Sequence, residues 1–133
     1  MFQSGLYFNM ALEVTTVDGV FCVTFQGSVG IRDLQNLAEA SKKAEAGGGV
    51  SPDFLTDLSA MENAELDFGA IQEFAAVRMT MRLKNRIKSA IVATRPLQMG
   101  FARMYQTLTN HPQIHMRIFK DRESAWTWLK AGD

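Results

Sequence analysis

The chain has 133 residues, which is enough for one domain with a sizeable hydrophobic core. It is 47% hydrophobic and 21% charged, and 14 basic residues balance 14 acidic ones, which excludes a bulk attraction to nucleic acid. No apolar run approaches membrane-spanning length, and residues 1–9 carry no positive charge and no cleavable apolar core. With Cys22 as the one cysteine, an internal disulfide is excluded, and we expect a cytoplasmic protein.

The first predicted elements are two strands joined by a tight turn. Residues 12–27 contain two β-rich runs on either side of Asp18-Gly19, and Asp-Gly between β-branched residues predicts a hairpin. Cys22 is interpreted as one of these strand positions, because no base or positive charge is adjacent to activate its thiol.

Two long helices are predicted on either side of a third strand. Residues 30–49 predict the first helix, which the glycines at positions 47–49 end. Its predicted inward stripe is Ile31, Leu34, Leu37, Ala38 and Ser41. A strand is predicted over residues 52–59, and a helix over residues 67–83 with Asp67 as its N-cap. The predicted inward side of this helix is Ala70, Ile71, Phe74, Val77, Arg78 and Met81.

The remaining sequence alternates between strand and helix. Residues 87–94 have the continuous apolar centre of a buried strand, and Pro96 then opens a third helix over residues 97–110. The last strand is predicted over residues 114–119, and the closing helix over residues 121–130.

This element order, β-β-α-β-α-β-α-β-α, predicts a single α/β domain with a five-stranded mixed sheet packed with four helices. Strands separated by helices of this length call for right-handed crossovers and a mostly parallel sheet. We expect residues 12–131 to form this domain and residues 1–11 to form an N-terminal arm or an extra strand.

The chain resembles the SpoIIAA-like family, whose fold is shared with STAS domains and compared with the lipid-binding CRAL-TRIO (Sec14) lobe. The resemblance rests on the opening LEV with its hairpin, on FLTDLS, on GFARMYQTLTNHPQIHMRIFKD and on the ending ESAWTWL. The last two segments are the more specific. The resemblance implies a SpoIIAA/STAS-like fold and a non-catalytic binding or regulatory module with a protein partner.

The resemblance also draws attention to residues 57–71, interpreted as an acidic loop that leads into the second helix. Anti-sigma-factor antagonists of the STAS type carry a phosphorylatable serine at the tip of this helix. The matching turn here contains neither serine nor threonine, and Asp67 and Phe68 are the equivalent positions. Asp67 is either a plain N-cap or a fixed negative charge where the relatives carry a phosphate.

Although the net charge is zero, acidic and basic residues are concentrated in different segments of the chain. From Asp53 to Glu73 there are six acidic residues and no basic one, and from Phe74 to Lys120 there are nine basic residues and no acidic one. The candidate contacts with an anionic surface are Arg78, Arg82, Lys84 and Arg86. The alternatives are a solvated helix end, or pairing with the acidic block of a second subunit in a homodimer.

Methionine and phenylalanine are abundant, with eight and nine residues. The candidate apolar contacts in the second and third helices are Met79, Met99, Phe101, Met104 and Tyr105. They suit a protein partner, or an alternative function as carrier or sensor of an apolar, lipid-like ligand at a membrane surface. A stripe at helical spacing is also typical of a helix's core-facing side.

Catalytic motifs are scarce, so we expect a protein that is not an enzyme and that uses no metal or organic cofactor. His111 and His115 are four residues apart but do not share a helix, and no zinc-protease or serine-hydrolase motif is present. Hydrolase chemistry around Asp57 and Ser59 is a third possibility. No nucleic-acid-binding motif is visible, and no nucleic acid partner is expected.

Overall fold

In the computed structural model, which describes residues 7–8, 11–47 and 49–132, six strands and four helices follow one another along the chain. The strands are β1 (Tyr7–Phe8), β2 (Leu12–Val17), β3 (Val20–Gly30), β4 (Asp53–Glu65), β5 (Ile87–Val92) and β6 (Ile114–Phe119). The helices are α1 (Ile31–Ala46), α2 (Phe68–Met79), α3 (Pro96–Leu108) and α4 (Arg122–Lys130). The predicted α/β class is confirmed, with the five predicted strands and the four helices. β1 is a short addition within the segment predicted as an arm or extra strand.

The strands form one mixed sheet whose spatial order follows the chain from β1 to β6. β1–β2 and β2–β3 are antiparallel pairs, and the remaining neighbours are parallel. The β2–β3 hairpin turns at Asp18 and Gly19, whose φ angles of 49° and 79° lie in the left-handed region that a type I′ turn requires. The predicted hairpin is therefore confirmed.

The helices divide unequally between the two faces of the sheet. Helices α1, α2 and α3 cover one face and share the larger core, to which α1 contributes Leu34 and Leu37. Helix α4 covers the other face with Ala125 and Leu129. Cys22, which faces α4, is thus buried in the middle of the domain, as expected for an inner strand covered on both faces.

Strand β4 extends farther than the sequence predicts. The acidic stretch after Ser59 was predicted to be a loop, but residues 60–65 continue the strand and pair with residues 26–30 of β3. The prediction was wrong because polar composition favours a loop, whereas the backbone of an adjacent strand can override local preference. Met61 is buried and Glu62 is exposed, so the extension has one inner and one outer side.

Gln98 of α3 covers the edge of β4 that β5 leaves unpaired. The last residue of β5, Val92, pairs with Asp57, so β4 runs on beyond its neighbour. There the Gln98 Nε2 donates to the carbonyl oxygens of Ser59 at 3.2 Å and Met61 at 2.9 Å. A side-chain amide thus replaces the missing strand over this length.

The other end of the same amide organises the start of α3. The Gln98 Oε1 accepts from the backbone N–H groups of Thr94 and Arg95, at 2.9 and 3.0 Å, and from the Thr94 hydroxyl at 3.0 Å. The Gln98 side chain is fully buried. Pro96 at the helix start was predicted from the sequence, but the tie to β4 spans 37 to 39 positions and leaves no local pattern.

A buried ion pair joins the last turns of α1 and α2. Arg78 Nη1 lies 2.9 Å from Glu45 Oε1, and the two side chains are only 8% and 9% exposed. The guanidinium also lies over the Phe54 ring, 4.8 Å from its centroid, and donates to Met81 Sδ at 3.2 Å. Arg78 therefore lies inside the helix layer.

We expect Gln98→Ala to lower the free energy of unfolding by about 1–3 kcal/mol or more, because it leaves several buried polar groups without partners. Urea denaturation followed by circular dichroism measures the change. The control is Gln106→Ala, since Gln106 is exposed and makes one bond, to the Met116 carbonyl at 3.0 Å. The control is expected to stay within about 0.5 kcal/mol of the wild type. Equal losses in both variants would contradict the role given to Gln98.

We expect Arg78→Met alone to destabilise the protein by about 3–5 kcal/mol, because it leaves the Glu45 carboxylate buried without its partner. Adding Glu45→Leu should restore most of this loss, since an apolar pair of similar volume often matches a buried ion pair. Arg103→Met at an exposed position of α3 is the matched control. Urea denaturation of the wild type and the three variants measures the changes, and a double variant no more stable than Arg78→Met would contradict the expectation.

Candidate functional site

The start of α2 is an exposed turn at the carboxyl ends of the parallel strands. Asp67 is the N-cap, as predicted: its Oδ1 accepts from the Ala70 backbone N–H at 2.8 Å. The next residue, Phe68, is 53% exposed. An aromatic side chain and a fixed carboxylate are thus presented side by side on a capped helix.

A shallow apolar groove lies between α1 and α2. Ile31 and Val77 were predicted to point inward, but they are 51% and 42% exposed and line this groove of about 100 Å³. The inward prediction was wrong for both because two helices packed side by side leave part of each apolar stripe at their outer seam. Phe74 lies at the groove's inner side and Glu73 contributes an acidic group to its lining.

The groove begins near the exposed turn and runs along both helices. Gly30 pairs with Glu65 at the end of the β3–β4 ladder, so α1 and α2 begin next to each other. Ile31, Asp67 and Phe68 lie where the helices begin, and Glu73 and Val77 lie farther along α2. We call this region the α1–α2 surface and define it by Ile31, Asp67, Phe68, Glu73 and Val77.

The predicted cationic contacts separate into two groups. Arg78 is buried against Glu45, as described above, whereas Arg82, Lys84 and Arg86 are exposed in the segment between α2 and β5. We call residues 80–86 the cationic loop. The loop lies at the amino ends of the parallel strands, whereas Asp67 and Phe68 lie at the carboxyl ends.

Hydrogen bonds hold the cationic loop against the segment that precedes β4. The Asn85 side chain accepts from the Ser51 N–H at 2.7 Å and donates to the Ser51 carbonyl at 3.1 Å. The Lys84 ammonium donates to the Gly47 carbonyl at 2.6 Å. Val50, in the same neighbourhood, is 73% exposed. The loop therefore combines fixed backbone geometry, exposed cations and one exposed apolar side chain.

The predicted apolar contacts of α2 and α3 are mostly turned toward the core. Met99, Phe101 and Tyr105 are partly buried against the larger core, Met104 is half-buried, and Met79 is the exposed member at 37%. Burial raises the pKa of the Tyr105 phenol, so this side chain is held in its neutral form. The stripe thus serves mainly to attach α3 to the sheet.

Two small adjoining cavities lie beneath the helix layer. Each is about 80 Å³, and Phe25, Thr56, Phe74 and Tyr105 line both. Ligand pockets typically have about 300–1,000 Å³. These cavities are therefore packing defects on the scale of a few solvent molecules, and they are too small for an acyl chain.

Asp57 and Ser59 form a structural cluster. The Asp57 Oδ1 accepts from the Ser59 N–H at 2.9 Å and from its hydroxyl at 2.6 Å, while Oδ2 pairs with Arg122 Nη1 at 2.9 Å. Both carboxylate oxygens are taken up by these contacts, and among the described residues no histidine is a hydrogen-bond partner of Ser59. The cluster instead ties β4 to the start of α4.

His111 and Cys22 are also in structural positions. The His111 Nδ1 accepts from the Gln113 N–H at 3.0 Å, so Nε2 carries the hydrogen and donates to the Met81 carbonyl at 2.6 Å. Burial raises the pKa of the Cys22 thiol, which agrees with its predicted role as a strand position. Within the described residues, no group of three His, Cys, Asp or Glu side chains is arranged to hold a metal ion.

Comparison with known proteins supports the same fold. The model of the SpoIIAA-like family matches residues 20–130. An uncharacterised protein with a SpoIIAA-like fold from Shewanella loihica PV-4 superposes with a TM-score of 0.61 at 17% identity, covering 92% of this chain and 98% of that chain. An anti-sigma factor antagonist from Mycobacterium paratuberculosis superposes with a TM-score of 0.59 at 18% identity, covering 90% of this chain and 93% of that chain.

A search of curated proteins found no significant match. None of the helices in the described ranges is both long enough and apolar enough to cross a membrane. The family match covers most of the chain, and the predicted resemblance is confirmed. The chain belongs to the SpoIIAA-like family.

Proposed function

We propose that this protein is a non-catalytic regulatory module that binds a partner protein through the α1–α2 surface. The observation that carries the proposal is the exposure of Phe68 and Ile31 where α2 and α1 begin, and of Val77 farther along α2 in the groove between the two helices. Membership of the SpoIIAA-like family and a fold shared with an anti-sigma factor antagonist support a regulatory role.

The chemistry of the surface suits protein recognition. Burying an aromatic or large aliphatic side chain contributes about 1.5–3 kcal/mol, and a few such anchors dominate most interfaces. Asp67 and Glu73 flank these anchors, so a partner with an apolar centre and a basic rim is complementary. Because Asp67 is a permanent carboxylate, the proposed binding does not require phosphorylation of this turn.

A second copy of the chain is one candidate partner. Glu62, Glu65 and Asp67 lie toward the carboxyl ends of the parallel strands, and the exposed Arg82, Lys84 and Arg86 lie at the amino ends. A two-fold axis perpendicular to the strands would bring each acidic end beside the cationic end of the other copy. Such a homodimer would pair these acidic residues with the cationic loop of the other copy through one symmetric interface.

We expect a photo-crosslinking residue, p-benzoylphenylalanine, to give one discrete adduct in the native host when it replaces Phe68, and none when it replaces the exposed Thr107 of α3. Mass spectrometry of the adduct distinguishes a different protein from a second copy. Ile31→Asp with Val77→Asp should reduce the yield at least about tenfold, because it places carboxylates in the apolar groove. Equal adducts from both positions, or an adduct insensitive to the groove variant, would contradict the proposed surface.

Peripheral contact with an anionic membrane is the second candidate function. The exposed cations of the cationic loop and the neighbouring Val50 favour it. Each basic residue near an anionic surface contributes about 1 kcal/mol, so three would give weak, reversible binding. Carriage of a lipid inside the fold is disfavoured by cavities of about 80 Å³.

We expect Arg82→Glu with Lys84→Glu to weaken binding to phosphatidylserine vesicles at least about tenfold, because attraction is replaced by repulsion. Vesicle co-sedimentation at low and high salt measures the change, and screening should weaken wild-type binding as salt rises. The matched control is Arg32→Glu with Arg103→Glu, which makes the same charge change at exposed helix positions. If the two double variants bind alike, the membrane candidate is wrong.

A further inference from the structure

A surface groove of about 630 Å³ lies on the α4 face, at the amino ends of β5 and β6 and beside the C-terminal end of α4. Its volume falls within the range of about 300–1,000 Å³ that is typical of small-molecule sites. Among the residues that line it are Asp53, Arg86, Lys88, His115 and Trp128. The groove lies on the opposite face of the sheet from α1 and α2, so an inference from it does not depend on the proposed function.

The groove is cationic, and some of its hydrogen-bond donors have no acceptor within the described part of the protein. Within the described part of the chain, the Arg86 guanidinium makes no hydrogen bond or ion pair, and it offers five donors. The Lys88 ammonium donates to the carbonyls of Trp128, at 3.0 Å, and Gly132, which leaves one of its three donors. The acidic residue, Asp53, already uses Oδ1 to accept from the Lys88 N–H at 2.8 Å. The arrangement therefore favours an anion.

The apolar side of the groove is a fixed aromatic wall. The His115 ring meets Trp128 edge-on, with centroids 5.2 Å apart and an interplanar angle of 85°. The Lys88 ammonium lies 5.3 Å and the Arg117 guanidinium carbon 5.5 Å from the Trp128 ring centroid, and the Phe119 ring centroid lies 5.5 Å from it. These contacts fix the indole, and the part of it that lines the groove is preorganised to receive a flat apolar group.

We propose that this groove binds a small aromatic anion. The ring of the ligand lies against Trp128 and His115, and its carboxylate or phosphate is bound by Arg86 and Lys88. Arginine is suited to this task because its planar fork matches the oxygens of carboxylate and phosphate groups. A long lipid chain fits less well, because the groove ends at α4 and combines its apolar wall with several charges.

Calorimetric titration of the full chain with three probes tests both halves of the proposal. 1-Naphthyl phosphate carries ring and anion, 1-naphthol carries the ring alone, and inorganic phosphate carries the anion alone. We expect saturable binding of 1-naphthyl phosphate, with the other two at least about tenfold weaker. We also expect the indole N–H resonance of Trp128 to shift on binding. Trp126→Phe identifies that resonance, because the chain has two tryptophans.

The matched variants are Arg86→Gln and Arg82→Gln, which remove the same charge from neighbouring exposed positions. Arg86→Gln should weaken 1-naphthyl phosphate binding about tenfold, as expected for a charge-assisted hydrogen bond, whereas Arg82→Gln should change it less than about twofold. The proposal is overturned if no probe binds, if inorganic phosphate or 1-naphthol binds as tightly as 1-naphthyl phosphate, or if the two variants weaken binding equally.

Discussion

The parallel pairing of β3 with β4 is the constraint on which the rest of the structure depends. It runs from the Val20–Asp53 pair to the Gly30–Glu65 pair, well past the end of β5. Because the paired strands end together, the two helices that follow them begin side by side. The exposed turn of α2 and the seam between α1 and α2 are therefore consequences of strand register. The buried amide of Gln98 is what allows β4 to continue without a second neighbouring strand.

The elements of this fold follow from local patterns in the sequence. Alternating apolar residues, the Asp-Gly turn and helix starts at Asp67, Pro96 and Asp121 predicted five strands and four helices in the observed order. The extension of β4 could not be predicted in this way. Glu62 and Asn63 favour a loop by their composition, and only the backbone of β3 makes them part of a strand.

The candidate sites were harder to predict, because they depend on contacts between distant segments. Arg78 belongs to a run of basic residues, yet it is buried because Glu45, 33 positions earlier, lies across from it. The groove on the α4 face joins Lys88, His115 and Trp128, which lie in separate elements. Charge segregation along the chain was visible in advance, but both blocks are distributed over the two ends of the sheet: Asp53 begins β4, and Arg95 and Lys120 follow β5 and β6. What could not be foreseen was which of the charged side chains remain available to a ligand.

Helix α4 covers its face of the sheet alone, and it packs on the three strands β4, β5 and β6. It has nine residues, fewer than an isolated helix needs to be stable in water. Arg122 fastens its start to Asp57, and the Lys88 ammonium fastens its end through two carbonyl groups. The helical conformation of α4 is therefore stabilised by its contacts with the sheet. Slow amide hydrogen exchange in α4 therefore reports its attachment to the sheet.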